Sequence, residues 1–386
     1  MRLEDICKVF TDGDWIESKD QSDEGIRLVQ TGNIGEGKFL EKGDRAKYIS
    51  EETFDSLKCT EIFPGDILVS RLPEPVGRAC IIPEKEERMI TAVDCTICRP
   101  DENMVLKEYL CYFMQSEAYY TRLMNNVTGT TRKRISRKNL GNVELDIPDK
   151  ETQAVVVKNL DILSRIIDGR KEELERLDEL IKARFVEMFG HQSHNEKGLP
   201  YMTIDDVAEI YLGITHTPEY VNEGVTFISA KNTSGDYLDL SDVKYISREE
   251  YEGAPQGSKP QKNDVLFSRV GSNLGHPVIL EEDIELCTFV SLGFLRSKGR
   301  VTSNYMKHWM RDDYFPTQVS EHVKGGGQPN LNTGWLKKFK IIVPEMDKQT
   351  EFDEFCKQVD KSKVVIQKAL ERTQLLFDSL MQKYFG

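Results

Sequence analysis

The densest reactive chemistry in this sequence is cationic. Between Ala118 and Val143 the chain carries Arg122, Arg132, Lys133, Arg134, Arg137 and Lys138 without a single acidic residue. The core of the run reads Thr128-Gly-Thr-Thr-Arg-Lys-Arg-Ile-Ser-Arg-Lys138. A Gly-Thr-Thr turn brings backbone and the Thr130 and Thr131 hydroxyls close to a phosphate, and an arginine can bridge the O6 and N7 atoms of guanine. Such a run reads either as a nucleic-acid contact or as a solvated charged face. Its acid-free composition in a chain rich in acids favours the contact. At the equivalent place later in the chain stands Lys324-Gly-Gly-Gly-Gln-Pro-Asn-Leu-Asn332. Gln328, Asn330 and Asn332 offer amides suited to adenine N6 and N7 or to phosphate, and Lys324 adds a charge. Three glycines permit close backbone approach. A merely flexible loop is the competing reading there.

Other candidates end short apolar runs. Ser70-Arg71 and Ser268-Arg269 stand beside the turns Gly77-Arg78 and Gly271-Ser-Asn273. Arg71, Arg78, Arg269 and Asn273 either face a ligand or tie down their own loops by hydrogen bonds. Gln30-Thr-Gly-Asn33 and Ala230-Lys-Asn232 follow equivalent strands, which adds Asn33, Lys231 and Asn232 to the binding candidates. Cys95-Thr-Ile-Cys98, with Cys80 and Cys111, has a spacing compatible with zinc. However, Leu292 and Leu295 occupy the corresponding places in the second half, so strand packing is the better reading. His191-Gln-Ser-His194 has no partnering ligand nearby and reads as a solvated turn. No phosphate-loop, dinucleotide, zinc-protease or base-methylation motif is present, so no catalytic residue and no metal site are expected.

Composition bounds these readings. The 386 residues include 52 Lys+Arg against 65 Asp+Glu, a net charge of −13, with 39% hydrophobic and 30% charged residues. That composition is globular, and the length suggests two or three domains. No apolar run approaches the ~20 residues of a membrane span, and the first residues do not form a signal peptide. Eight irregularly spaced cysteines indicate a reducing, cytoplasmic setting. The acidic balance disfavours indiscriminate coating of nucleic acid. It leaves room for a local basic face, because phosphate binding follows local potential.

The elements that must position these residues are written twice. Ile26–Asn33 resembles Val225–Asn232, Lys47-Tyr-Ile-Ser50 recurs as Lys244-Tyr-Ile-Ser247, and Gly65–Arg71 matches Asn263–Arg269. Leu140–Pro148 matches Leu336–Pro344, and Phe189-Gly190 matches Phe385-Gly386, all at offsets between 196 and 199. Each copy opens with short β-rich runs and turn clusters interrupted by one or two helices, an α+β domain. Each closes with a long helix. From Glu151 to Phe189 there is no proline and only Gly169. Positions 160, 163, 167, 170, 174, 177, 181, 184 and 188, and 356, 359, 363, 366, 370, 373, 377, 380 and 384, alternate spacings of 3 and 4. That is a heptad seam, and it predicts that the two helices pair as a coiled coil. Chain reach predicts antiparallel pairing. A helix of ~39 residues is ~58 Å long, and the connector 191–200 spans at most ~35 Å. The expected organisation is a recognition domain over 1–150, a helical spacer over 151–190, a connector over 191–200, a second domain over 201–346 and a second spacer over 347–386, related by a pseudo-two-fold axis.

This arrangement resembles the specificity subunit of type I restriction-modification enzymes. The resemblance rests on Gly129, Ile135, Leu140, Ile147-Pro148 and Gln153, then Gly325, Leu331, Leu336, Val343-Pro344 and Gln349, and on Gly65-Asp66…Ser70-Arg71 and Asp264…Ser268-Arg269. It covers essentially the whole chain. It implies a non-catalytic subunit with two target recognition domains, each reading one half of a bipartite site in double-stranded DNA. It also implies two modification (methyltransferase) subunits and restriction (endonuclease and translocase) subunits as partners. No cofactor is expected on this chain, with S-adenosylmethionine on the modification subunits and ATP and Mg²⁺ on the restriction subunits. The rival reading is a protein-binding scaffold whose rod separates two interaction domains.

Overall fold

A strand covered on both faces has to be apolar along its length, and Ile67–Ser70 is buried at all four positions. The computed structural model that shows this describes residues 1–129, 133–271, 273–322 and 330–386. The chain forms two compact units, one of Met1–Lys171 with Lys368–Gly386 and the other of Glu172–Gln367.

The first unit contains strands β1 (Cys7–Asp12), β2 (Ile26–Val29), β3 (Lys47–Ile49), β4 (Glu61–Ile62), β5 (Ile67–Ser70), β6 (Ala79–Ile81), β7 (Met89–Thr91) and β8 (Cys95–Pro100). Its helices are α1 (Glu51–Leu57), α2 (Lys107–Phe113), α3 (Glu117–Met124), α4 (Arg137–Gly141) and the start of α5 (Lys150–Phe189). One sheet has the order β1-β8-β5-β6 and the other β3-β2-β7-β4, with β2 and β7 parallel. Alternation along β5 separates two cores. Ile67 and Val69 pack with Leu110, Tyr119 and Leu140 of the helices, while Leu68 packs with Cys80, Met89 and Ile97 on the opposite face.

The second unit repeats the plan. It contains β9 (Tyr201–Thr203), α6 (Ile204–Val207), β10 (Ala208–Leu212), β11 (Tyr220–Val221), β12 (Val225–Ile228), β13 (Lys244–Ile246), α7 (Arg248–Gly253), β14 (Val265–Ser268), β15 (Pro277–Ile279), β16 (Leu286–Thr288) and β17 (Leu292–Ser297). There follow α8 (Ser303–Arg311), α9 (Tyr314–His322), α10 (Thr333–Leu336), β18 (Lys340–Ile342) and α11 (Met346–Phe385), of which the residues up to Gln367 belong to this unit. The sheet β10-β17-β14-β15 reproduces β1-β8-β5-β6 strand for strand, and β12 pairs parallel with β16 as β2 does with β7. The short strands β4 and β11 sit at the edges of the other two sheets, and β18 pairs with β9.

Helices α5 and α11 each run 40 residues, about 60 Å at 1.5 Å per residue. Within the first unit, Asn159 donates to the Tyr384 hydroxyl at 2.9 Å and Arg170 donates to the Ala369 carbonyl. Within the second, Arg184 meets Glu351 at 3.0 Å and Lys363 meets Asp178. Partner numbers fall as α5 advances, so the pairing is antiparallel, as chain reach predicts. The seam drifts at its ends. Leu160, Leu163, Ile167 and Ile181 are buried as expected, but Phe185 and Phe189 replace positions 184 and 188, and Met381 and Phe385 replace 380 and 384. A 3.5-residue repeat slips by roughly 20° per heptad on a 3.6-residue helix. The large aromatics take the face that meets the globular core: Phe385 lies 5.2 Å from Tyr109, and Phe189 4.9 Å from Tyr305, between ring centres.

One glutamine fastens each helix to its unit. Gln153 is fully buried and accepts from the Leu106 N–H at 2.8 Å while donating to the carbonyls of Met104 and Pro148. Gln349 does the same with Thr302 N–H, Arg300 and Pro344. Among the described residues, no helix is long and apolar enough to cross a membrane.

Candidate nucleic-acid interface

The basic run is pinned where Thr128 meets Arg134. Thr128 and Arg134 exchange backbone hydrogen bonds at 2.9 and 2.8 Å, and Gly129 turns the chain with φ +101°. Thr130, Thr131 and Arg132 lie outside the described residues. The strand-end arginine supplies the floor of this loop. Ile135, fully buried, donates its N–H to the Arg71 carbonyl at 3.3 Å. The Arg71 guanidinium reaches the Val93 carbonyl and lies 3.4 Å from Asp12. The second unit repeats this around Arg269: Leu331 N–H donates to its carbonyl at 2.9 Å, and its guanidinium donates to Val290 at 3.0 Å. Arg269 also reaches Asn330 Oδ1 at 3.4 Å. Both arginines therefore brace the loop from beneath.

Above that floor, Lys133, Arg137 and Lys138 are exposed. The Lys133 and Lys138 side chains have no partner among the described residues, and that of Arg137 has only a 3.5 Å contact to the Thr11 hydroxyl. Arg134 is paired with Asp94, which removes part of its charge from the surface. In the second unit Asn330 and Asn332 are exposed, and Asn332 Oδ1 caps α10 by accepting from Gly334 N–H at 2.7 Å. Asn273 is also exposed, while its carbonyl accepts from Ser268. Lys324 and Gln328 lie outside the described residues.

Of the remaining candidates, Arg78, Asn33 and Asn232 turn inward, while Lys231 stays exposed. Arg78 is 8% exposed and donates to four carbonyls, Thr31, Ile34, Leu72 and Pro75, at 2.7–3.0 Å. It ties two loops together, the second of the two roles open in the sequence. Asn33 accepts from Gln30 N–H and donates to the Leu40 carbonyl; Asn232 likewise serves Ser229, Asp239 and Asp242. At 3% exposure each, these two amides set turns and are not displayed to solvent. Lys231 is held by Asp242 at 2.8 Å. The inward placements have one cause: a polar side chain beside a buried strand first satisfies the loop carbonyls that burial strips of water.

Sequence reasoning missed one pair of anchors. Arg99 forks onto Asp66 at 2.7 and 2.8 Å, and Arg296 onto Asp264 at 3.0 and 2.7 Å. Both pairs recur at matching places in the two copies, which was the signal available. Cys80, Cys95 and Cys98 fill strands and Cys111 lies in α2, all of them buried. Cys95 joins the core between the sheets and Cys98 the helical core on the other face of β8, so they cannot share an ion. Burial pushes the Cys95 thiol up to about 12.

Two copies of one braced-loop plan, each fastened to a long helix, define a duplicated recognition module with no clustered acid, base and nucleophile in view among the described residues. The chain belongs to the family of type I restriction modification DNA specificity domains, which it matches over residues 1–176 and again over 196–374. Among particular relatives, the type I restriction enzyme EcoBI specificity subunit of Escherichia coli is 22% identical over 306 residues, 69% of this chain and 63% of that protein. The HindI specificity subunit of Haemophilus influenzae is 23% identical over 168 residues, 42% of this chain and 35% of that protein. The matches thus span less than two thirds of these curated relatives. Among solved structures, the type I restriction-modification S subunit from M. genitalium superposes with a TM-score of 0.58 at 15% identity, covering 100% of this chain and 95% of that one. A chain from a structure concerned with complex assembly and conformational transition of the type I R-M system gives 0.56 at 17%, covering 100% and 96%. At such identities the likeness is one of fold.

Proposed function

We propose that this chain is the non-catalytic specificity subunit of a type I restriction-modification complex, reading a bipartite site in double-stranded DNA through its two recognition domains. The single observation that carries the reading is the loop over Arg71, which presents Lys133, Arg137 and Lys138 without a carboxylate partner in a chain of net charge −13. Lys133, Arg137 and Lys138, with Thr130, Thr131 and Arg132, contact one half-site. Lys324, Gln328, Asn330, Asn332 and Asn273 contact the other, and Arg71 and Arg269 hold the loops in place. The domain limits follow the repeat, 1–150 and 201–346, with helical spacers after each.

The partners are two modification subunits and the restriction subunits of a cytoplasmic complex. S-adenosylmethionine belongs to the former, and ATP with Mg²⁺ to the latter. Exposed apolar residues on the long helices, Val364 at 46%, Val365 at 68% and Leu375 at 69%, suit contact with another protein. Electrophoretic shift of a duplex library by the chain with its modification subunits, across a salt series, tests the reading. Salt-dependent, sequence-selective retention is expected. A complex that assembles and retains no duplex at any salt favours the scaffold.

A further inference from the structure

Resting on that reading, we propose that the first unit carries a second phosphate-binding surface, a cationic cleft formed by Arg27, Lys42, Arg45 and Lys47, and that the second unit has lost it by charge inversion. The cleft, of about 220 Å³, is completed by Gln30 and the Thr31-Gly32 turn. Lys42, Arg45 and Lys47 are exposed, and none has an ion pair or a side-chain hydrogen bond among the described residues. Of the neighbouring acids, Glu41 is taken by Lys85, and Asp44 is exposed between the two cations. Arg27 is 3% exposed, with its guanidinium 5.4 Å from the centre of the Tyr48 ring and no carboxylate beside it. Four positive groups around one polar recess leave an anion as the complementary occupant.

The cleft joins the basic loop through a short chain of bonds. The Lys42 side chain lies over Gly32, within 3.4 Å of where a β-carbon would stand. The neighbouring Thr31 carbonyl accepts from Arg78, and Arg78 also holds the Leu72 carbonyl. Leu72 follows Arg71, whose carbonyl holds Ile135 at the base of the loop. On this proposal a polyanion bound to Lys133, Arg137 and Lys138 also meets this second row of cations. Duplex DNA, with a negative charge every ~1.7 Å of axis, can engage both.

The second copy serves as an internal control. Gly37–Tyr48 carries Lys38, Lys42, Arg45 and Lys47 against Glu41 and Asp44, a net of +2. Gly235–Tyr245, its counterpart, carries Lys244 against Asp236, Asp239 and Asp242, a net of −2. Asp242 stands where Arg45 does, and it neutralises Lys231, which stands where Gly32 does. The first unit thus supplies more of the sequence-independent grip on the backbone, and the second contributes readout with less electrostatic attraction.

The test uses the full chain assembled with its modification subunits on a duplex containing its recognised site. Lys42→Gln with Arg45→Gln should lower the slope of log affinity against log salt by about two units, at ~0.9 per lost phosphate contact. The order of preference among altered half-sites should remain unchanged. The converse variant, Asp239→Lys with Asp242→Arg, should steepen the slope. An unchanged slope in the Gln variant, while Lys133→Ala with Lys138→Ala flattens it, overturns the cleft and leaves the DNA reading intact. Loss of discrimination at one half-site overturns the phosphate assignment in favour of base contact. Failure of the unaltered complex to bind any duplex brings down the DNA reading itself.

Discussion

The backbone N–H of Leu331 donates to the carbonyl oxygen of Arg269 across 2.9 Å, and the guanidinium of the same arginine holds the Val290 carbonyl at 3.0 Å. A loop that leaves Asn330 at the surface is thereby fixed to the end of a central strand. Arg269→Ala removes the guanidinium from a half-buried site and deprives the Val290 carbonyl of this partner, at a cost of about 0.5–1.5 kcal/mol. The expected outcome is faster amide exchange at Leu331 and weaker discrimination at one half-site only. Equal loss at both half-sites contradicts the division of labour between the domains.

The exposed cations of the first loop make a sharper case. Changing Lys133, Arg137 and Lys138 together to Ala should flatten the salt dependence of DNA binding by roughly one unit of slope per lost phosphate contact. Thermal stability should hardly change, because none of the three supports the core. Unaltered affinity and slope return the loop to a solvated charged face.

Gln153 and Gln349 are expected to matter for folding. Each is fully buried and bonds three backbone groups. Truncating either to Ala leaves an N–H and two carbonyls without partners, and each buried orphan costs on the order of 1–3 kcal/mol. Melting of the purified chain should show either variant well below the parent. A melt superimposable on the parent means that water replaces the amide.

His308 gives a pH dependence. Burial, with Lys307, Arg311 and Lys363 nearby, holds its imidazole well below the ordinary histidine range, against a smaller opposing pull from Asp236. Its ring packs against Phe185 and Phe352, and Asp178, Glu179 and Lys182 of α5 line the same recess. Its folded-state pKa is depressed, so below an unfolded value of about 6.5 the unfolded chain binds a proton that the folded chain refuses. Stability is therefore present above that value and declines as pH falls through it. His308→Phe should reduce the loss of melting temperature between pH 7.5 and 5.5, readings chosen at roughly one unit either side of that pKa. An identical loss in the variant removes His308 as the cause.

The sequence by itself determined the duplication, the two long helices and the basic run, because repeats, heptad spacing and charge density are properties of order along the chain. It also determined the antiparallel sense, through the short connector between two ~58 Å helices. Tertiary structure decided which polar side chains remain at the surface. Arg78, Asn33 and Asn232 look as available in the sequence as Lys133 or Lys138. Yet each lies where a buried strand ends and loop carbonyls lack water, so each is drawn inward to bond them. The seam shifted from Arg184 and Met188 to Phe185 and Phe189 for a similar reason. Where a helix leaves its partner and meets a globular core, the aromatic face buries more apolar area than the heptad face does, and that contest between two packing partners is not encoded in periodicity.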